Sequence, residues 1–329
     1  MRVVVTGGAG FIGSHLVEGL LEKNYEVIVV DNFSTGNLSN LKECSNKINI
    51  INHDIRFSLP TNIFNGCSIV FHLAALADIV PSIEHPSDYL STNVQGTVNV
   101  LEAARESKVQ RVVYTASSTC YGTMKDYPTS ESGELCPTFP YALSKHLAEL
   151  VFFHWLDLYG IKGLSLRLFN VYGPRARTSG NYGAVMGVFL AQKIANKPFT
   201  VVGDGTQVRD FTYVSDVVRA LILAGESVVT REAINIGTQN PQSINRLVEL
   251  LSGEVEYIPK RPGEPDRTHA DIRKAKLLLD WAPKVSFEEG VKNVLTKINL
   301  WQDAPIWGKS DIEVATNTWF KYLGKNETS

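Results

Sequence analysis

The stretch Thr6-Gly7-Gly8-Ala9-Gly10-Phe11-Ile12-Gly13 constrains the fold of this 329-residue chain more than any other. The apolar run Val3-Val4-Val5 leads into it and a helical-looking run from Phe11 to Leu21 leaves it, so the glycines stand between a buried strand and a helix. In that context the spacing reads as a dinucleotide-binding turn. Gly7 permits the tight turn, Gly10 lets a pyrophosphate approach the backbone, and Gly13 lets the helix pack closely on the strand. The first helical N–H groups, those of Phe11, Ile12 and Gly13, offer donors and a partial positive charge to phosphate. A second buried run, Glu26 to Asp31, ends in a carboxylate about twenty residues past the turn, where ribose hydroxyls are read. Asp31 is expected to accept from the adenosine ribose and to repel a 2′-phosphate, which favours NAD over NADP. Asn32 opens an Asn- and Ser-rich, turn-like segment beside the same ribose.

Further strands alternate with helical runs. Ile48 to Ile51 ends near His53-Asp54, where Asp54 and Ile55 could sit beside the adenine; a plain strand-end aspartate is the alternative. Ser68 to Leu73 is a stronger strand, and the small residues Ala74 and Ala75 let Leu73 and its neighbours pass close to a cofactor. His72 reads as a structural histidine rather than a catalyst. The run 88–107 has helical periodicity and carries Asn93, which is assigned to the cofactor set. Arg111 to Ala116 is the next strand. Such alternation implies right-handed crossovers and a doubly wound, Rossmann-type parallel α/β sheet, with the ligand beyond the strands' carboxyl ends. The expected division is a cofactor domain over 1–170, with a return near 210–240, and a smaller C-terminal α/β substrate lobe over 171–329.

A formal charge of −2 without a long basic block argues against nucleic acid or an anionic membrane as partner. No apolar run approaches the roughly eighteen residues of a spanning helix, and a strand starting at Arg2 leaves no room for a signal peptide. A soluble, cytoplasmic protein is expected. Cys44, Cys67, Cys120 and Cys136 lack metal-like spacing and are expected to be reduced and unpaired, with no metal bound.

The chemistry gathers after the fifth strand. Ser117-Ser118-Thr119 closes it, and Tyr141-Ala142-Leu143-Ser144-Lys145 opens the next helical run. Residues four apart share a helix face, so Tyr141 and Lys145 can enter one site together. There the ammonium is expected to stabilise a phenolate and lower the tyrosine's pKa, while Ser117 holds the substrate hydroxyl that loses its proton.

Six ordered motifs now resemble the extended short-chain dehydrogenase/reductases, and among them the nucleotide-sugar 4-epimerases of the UDP-glucose/UDP-galactose type. They are TGGAGFIG at 6–13, HLAA at 72–75, SSTCYG at 117–122, YALSK at 141–145, RLFNVYGP at 167–174 and VRDFTYVSDV at 208–217. The resemblance implies bound NAD and a catalytic set of Ser117, Tyr141 and Lys145. Tyr141 would take the proton from the sugar 4-hydroxyl, and a 4-keto sugar would be reduced on its other face. Lys145 would also hold the nicotinamide ribose. It further implies substrate contacts from Ser117, Ser118, Thr119 and Asn170, diphosphate contacts from Arg209 and Arg261, and a gate at Thr268 beside the sugar's C2 substituent. A threonine there leaves room for an N-acetyl group. A homodimer through the Tyr/Lys helix is implied as well.

Arg209 could instead pair with Asp210, and Arg261 could belong to a solvated turn. Relatives that dehydrate the sugar carry an Asp-Glu pair after the catalytic hydroxyl, and UDP-glucuronate decarboxylases a Glu; here Ser118 and Thr119 stand in those places. Epimerisation at C4 is therefore the leading function, ahead of a 4,6-dehydratase or decarboxylase and of a non-catalytic NAD sensor. Ala77 replaces a lysine that touches the cofactor in longer bacterial epimerases. The aromatic tail, with Trp301, Trp307, Trp319, Phe320 and Tyr322, is expected to pack on the second lobe.

Overall fold

The computed structural model describes residues 1–124, 126–176 and 183–324. Seven strands form one parallel sheet: β1 (Arg2–Thr6), β2 (Glu26–Asp31), β3 (Ile48–Asn52), β4 (Ile69–His72), β5 (Arg111–Ser117), β6 (Lys162–Leu168) and β7 (Glu232–Ile236). Their spatial order is β7-β6-β5-β4-β1-β2-β3. The chain winds outward from β1 through β2 to β3, then returns to β4 on the other side of β1, so the switch point lies between β1 and β4. The strands are runs of Val, Ile and Leu because both faces are covered. One face carries α1 (Phe11–Glu22) and α4 (Val214–Glu226); the other carries α2 (Gly96–Glu106) and α3 (Pro140–Tyr159). The Rossmann-type architecture expected from the alternating pattern is the one observed.

Ala270, Ile272, Leu279 and Trp281 pack in the first of these cores, with α1 and α4, although they follow the segment 210–240 in sequence. The third core gathers Tyr172, Phe189, Phe199, Val201, Phe211, Leu247 and Phe287 around short strand pairs, such as Phe199–Val202 with Val255–Ile258. The chain ends on α5 (Lys309–Leu323). Of the aromatic tail, Trp301 joins the third core and Trp319 is buried, whereas Phe320 and Tyr322 are exposed. The stretch 175–183, whose Arg, Gly, Ser and Asn content reads as an irregular loop, falls largely on 177–182, outside the described residues. All four cysteines are unpaired, with Cys136 exposed and the others buried. Among the described residues no helix is long and apolar enough to cross a membrane.

Helix α3 starts with proline in its first turn, where the missing N–H costs nothing, and stops at Gly160, whose φ of 70° suits a residue without Cβ. Its inward face is unusual in being polar along part of its length: Ser144, Lys145 and Glu149 are buried with Ala142, Ala148, Phe152 and Leu156. Glu149 is neutralised by Arg167 of β6 through Nε and Nη2, at 3.1 and 2.7 Å, and it accepts from Ser165 Oγ at 2.5 Å. Both partners are almost fully buried. Removing one member of such a pair leaves the other charge uncompensated. Glu149→Ala is expected to destabilise the protein by about 3–5 kcal/mol, seen as a lower urea midpoint; an unchanged midpoint would refute this account of the pair.

Candidate active site

The glycine turn is fitted closely to its neighbours. Gly7 has φ of 70°, and a Cβ on it would lie 2.7 Å from the Ala74 nitrogen, so the turn after β1 touches the turn after β4. A Cβ on Gly13 would collide with the carbonyl oxygen of Gly7, which means that α1 packs on the turn itself. Gly10 differs: a Cβ there would meet only the Gly7 oxygen, at 3.2 Å, and its other side is open. Gly10 is also the N-cap of α1, with no side-chain cap and no acidic residue in the first turn. The N–H groups of Phe11 and Ile12 therefore have no acceptor within the helix, and no acidic side chain of its first turn opposes an anion.

Asp31 is 7 % exposed at the end of β2. It accepts from the backbone of Ala9 at 2.9 Å and of Phe33 at 2.8 Å. Burial pushes its carboxyl up and these amides pull it down. Each oxygen keeps a lone pair for a ribose hydroxyl. The open glycine, the uncapped helix start and this carboxylate fit a dinucleotide with a free 2′-hydroxyl.

The other residues of the predicted cofactor set divide. Asn32 donates to Asp54 at 3.0 Å, and Asp54 is also clamped by Arg56 at 2.7 Å, which holds its carboxyl down at about 2. Leu73 and Ala74 are tied to Thr6, and with Ala75 they form the half-buried β4 turn facing the glycines. Ile55 follows Asp54 with its side chain buried in the second core against Gly96 and its carbonyl accepting from Asn99. Asn93 likewise spends both amide protons within the chain, on the Leu76 carbonyl at 2.9 Å and Ser144 Oγ at 2.8 Å. It sits in a π-helical segment, Leu90–Gln95, and pegs the β4 turn to α3. His72 bridges Thr6 and Thr97, and burial forces its pKa down to about 3, so it is a neutral structural group.

At the end of β5, Ser117 caps a single 3-10 turn, Ser118–Tyr121, and its Oγ lies 2.9 Å from Thr119 Oγ1. Both hydroxyls act on the Tyr141 phenol in the direction that favours its ionised form. The phenol nevertheless stands above its ordinary pKa, because burial outweighs the pull of the two hydroxyls. This corrects the expectation that Lys145 lowers it. Lys145 Nζ donates to the Thr115 carbonyl at 2.6 Å and lies 4.5 Å from the centre of the Tyr114 ring. Burial drives its own pKa down to about 7, with Glu149 acting in the opposite direction. With burial acting on both groups, the protein alone does not ionise Tyr141.

Toward the second lobe, Asn170 accepts from Thr268 Oγ1 at 2.7 Å, and that hydroxyl in turn accepts from the Asp210 amide. Arg209 does not pair with Asp210, whose buried carboxylate collects the amides of Thr238, Gln239 and Ala270 instead. Arg209 Nη2 reaches Glu264 at 2.8 Å, and Arg261 lies 3.5 Å from the same carboxylate. Arg261 and Glu264 border a cavity of about 620 Å³ that Thr123, Pro137, Thr138 and Leu323 also line. The sequence reading missed Glu149 and Glu264. Glu149 was recoverable from Tyr141-Lys145-Glu149 at four-residue spacing; Glu264 stands three residues after Arg261 without any local sign of its partners.

A parallel sheet of this order, with a glycine turn at its switch point and a Tyr-x-x-x-Lys helix beside it, is the architecture of a short-chain dehydrogenase/reductase. The chain belongs to the NAD dependent epimerase/dehydratase family, whose profile matches residues 3–237. It is 35 % identical to a UDP-glucose 4-epimerase of Mycolicibacterium smegmatis over 302 residues, 88 % of this chain and 96 % of that protein. Among solved structures, UDP-glucose 4-epimerase from Thermotoga maritima with UDP-glucose superposes with a TM-score of 0.86 at 36 % identity, covering 92 % of this chain and 99 % of that one. UDP-glucuronic acid 4-epimerase from Bacillus cereus, in complex with UDP-glucuronic acid and NAD, gives 0.85 at 32 % identity, covering 91 % and 99 %.

Lys145 yields a pH prediction. Its folded pKa of about 7 lies below the reference value of 10.5, so between these values the unfolded chain binds more protons. The group adds stability as pH rises through that window and subtracts it as pH falls. Lysine-Nζ NMR of cofactor-free protein should show one ammonium titrating near neutrality, with a lower midpoint in Glu149→Gln. A Lys145 signal that stays charged to pH 10 would contradict the buried environment described.

Proposed function

We propose that the protein epimerises a nucleotide sugar at C4, most naturally a UDP-hexose, with NAD as a reagent restored in each turnover. The observation that carries this reading is the gathering of the Ser117, Thr119 and Tyr141 hydroxyls at one point, with Lys145 buried behind them and no carboxylate at 118 or 119. NAD, when bound, supplies the hydride acceptor and donor and, in its oxidised form, a positive charge that favours phenolate. Asp31, Gly10 and the α1 amides would hold it. Ser117 and Thr119 would orient the sugar hydroxyl, and Tyr141 would take its proton and later return one, with Lys145 steadying the phenolate. The chain's own groups thus exchange protons with a sugar oxygen only. Dehydration or decarboxylation needs a further acid or base at the sugar carbons, and Ser118 and Thr119 cannot supply it.

Arg209 and Arg261 would grip the diphosphate, since planar guanidinium groups match phosphate oxygens. Glu264 would have to yield both of them to the ligand. Asn170 and Thr268 would border the sugar, and the small Thr268 side chain leaves room for an acetamido group. The expected result with a panel of UDP-, CDP-, GDP- and dTDP-sugars is C4 inversion of UDP-glucose, with measurable turnover of UDP-N-acetylglucosamine, followed by NMR. Tyr141→Phe should lower kcat by about 10²–10⁴-fold while NAD stays bound. A 4-keto-6-deoxy product, or full activity in Tyr141→Phe, would defeat the proposal.

We also propose a homodimer through α3. Leu143, Leu150 and Leu158 are 41, 53 and 60 % exposed on its outer side, an apolar stripe that water does not favour. Light scattering should give about twice the chain mass, falling toward the monomer in Leu150→Glu; a monomeric wild-type protein would rule it out.

A further inference from the structure

Helix α5 lies outside the span matched by the family profile, yet its one buried indole meets both ends of the site. Ile312, Thr316 and Trp319, each 4 % exposed or less, seat the helix. Trp319 Nε1 donates to the Pro262 carbonyl at 2.7 Å, and the Arg261 guanidinium lies 5.6 Å from the indole centre, within cation–π range. The indole is also 6.4 Å from the Phe139 ring. Phe139 is the N-cap residue of α3, and its ring lies nearly parallel to that of Tyr141, at 6.3 Å and 18°. One side chain therefore connects the loop carrying Arg261 and Glu264 with the aromatic ring that backs the phenol.

We propose that Trp319 is a positioning residue that sets the Arg261 loop for the substrate's diphosphate and, through Phe139, fixes the ring of Tyr141. The inference rests on the nucleotide-sugar reading above. Arg209 and Arg261 are both held by Glu264. An arriving diphosphate competes for these cations, so the loop loses an internal tether just when it must hold position. The contacts to Trp319 do not depend on Glu264, because one is made through the Pro262 backbone and the other through the face of the guanidinium. A residue that merely filled space would leave substrate affinity alone.

The test uses the NAD-loaded enzyme and two variants. Trp319→Phe keeps an aromatic ring and removes the N–H. It should raise KM for UDP-glucose about five- to tenfold with kcat within about twofold, the loss expected for one hydrogen bond. Trp319→Leu removes the ring as well, and should raise KM further, lower kcat and displace the pH midpoint of kcat. In ¹⁵N-labelled protein the Trp319 indole resonance, assigned by its absence from Trp319→Phe, should shift when UDP is added. If Trp319→Leu does not fold, Trp319→Phe and the resonance still decide. Wild-type KM in Trp319→Phe, or an indole signal unmoved by bound UDP, overturns the inference while leaving the epimerase reading intact. A wild-type protein that binds no UDP and turns over no nucleotide sugar overturns the reading beneath it.

Discussion

Burying one positive charge beside a phenol is the constraint around which this active site is arranged. Lys145 sits where water cannot solvate its ammonium, and the chain answers with a carbonyl, a tyrosine ring face and, one helical turn away, Glu149. Glu149 is itself largely claimed by Arg167, so it moderates the lysine without neutralising it. The lysine is therefore poised between its two protonation states near pH 7. A fully paired lysine would be inert, and an unpaired one would lose its proton at once. In the chain alone the tyrosine stays protonated, since burial holds its pKa above the ordinary value.

The sheet determines where that chemistry happens. Because the chain reverses direction between β1 and β4, the turns that follow these strands are neighbours, and Gly7 and Ala74 are small enough to touch. Asn93 then carries the β4 turn's position to α3 through Ser144, directly beside Lys145. Cofactor turn and catalytic helix are thus linked by hydrogen bonds as well as by shared core. The same residue lies in the π-helical segment Leu90–Gln95, a local departure frequent at functional sites.

Much of this was legible in the sequence because it depends on local spacing. Three glycines between a strand and a helix, an aspartate about twenty residues on, and a Tyr and Lys four apart each state their geometry without knowledge of the rest. What was not legible depends on partners far along the chain. Ile55 reads as a strand-end residue near adenine, and the packing of its side chain against Gly96 has no local sign. Arg209 sits next to Asp210 in sequence, yet strand geometry sends Asp210 to the amides of 238, 239 and 270 and Arg209 to Glu264. The direction of the Tyr141 shift was misjudged for a related reason: counting charges along a helix omits the cost of burial, which dominates here.

Chemistry confined to a hydroxyl proton and a carbon-bound hydride leaves a clear isotopic record. The most direct measurement is conversion of UDP-glucose by the NAD-loaded protein in D₂O, with the product's ring hydrogens read by ¹H NMR. The account predicts a C4-inverted sugar in which C4 keeps its original hydrogen and C5 remains fully protonated, because only the oxygen proton passes through Tyr141. Deuterium at C4 or C5, or loss of water from the sugar, would contradict it.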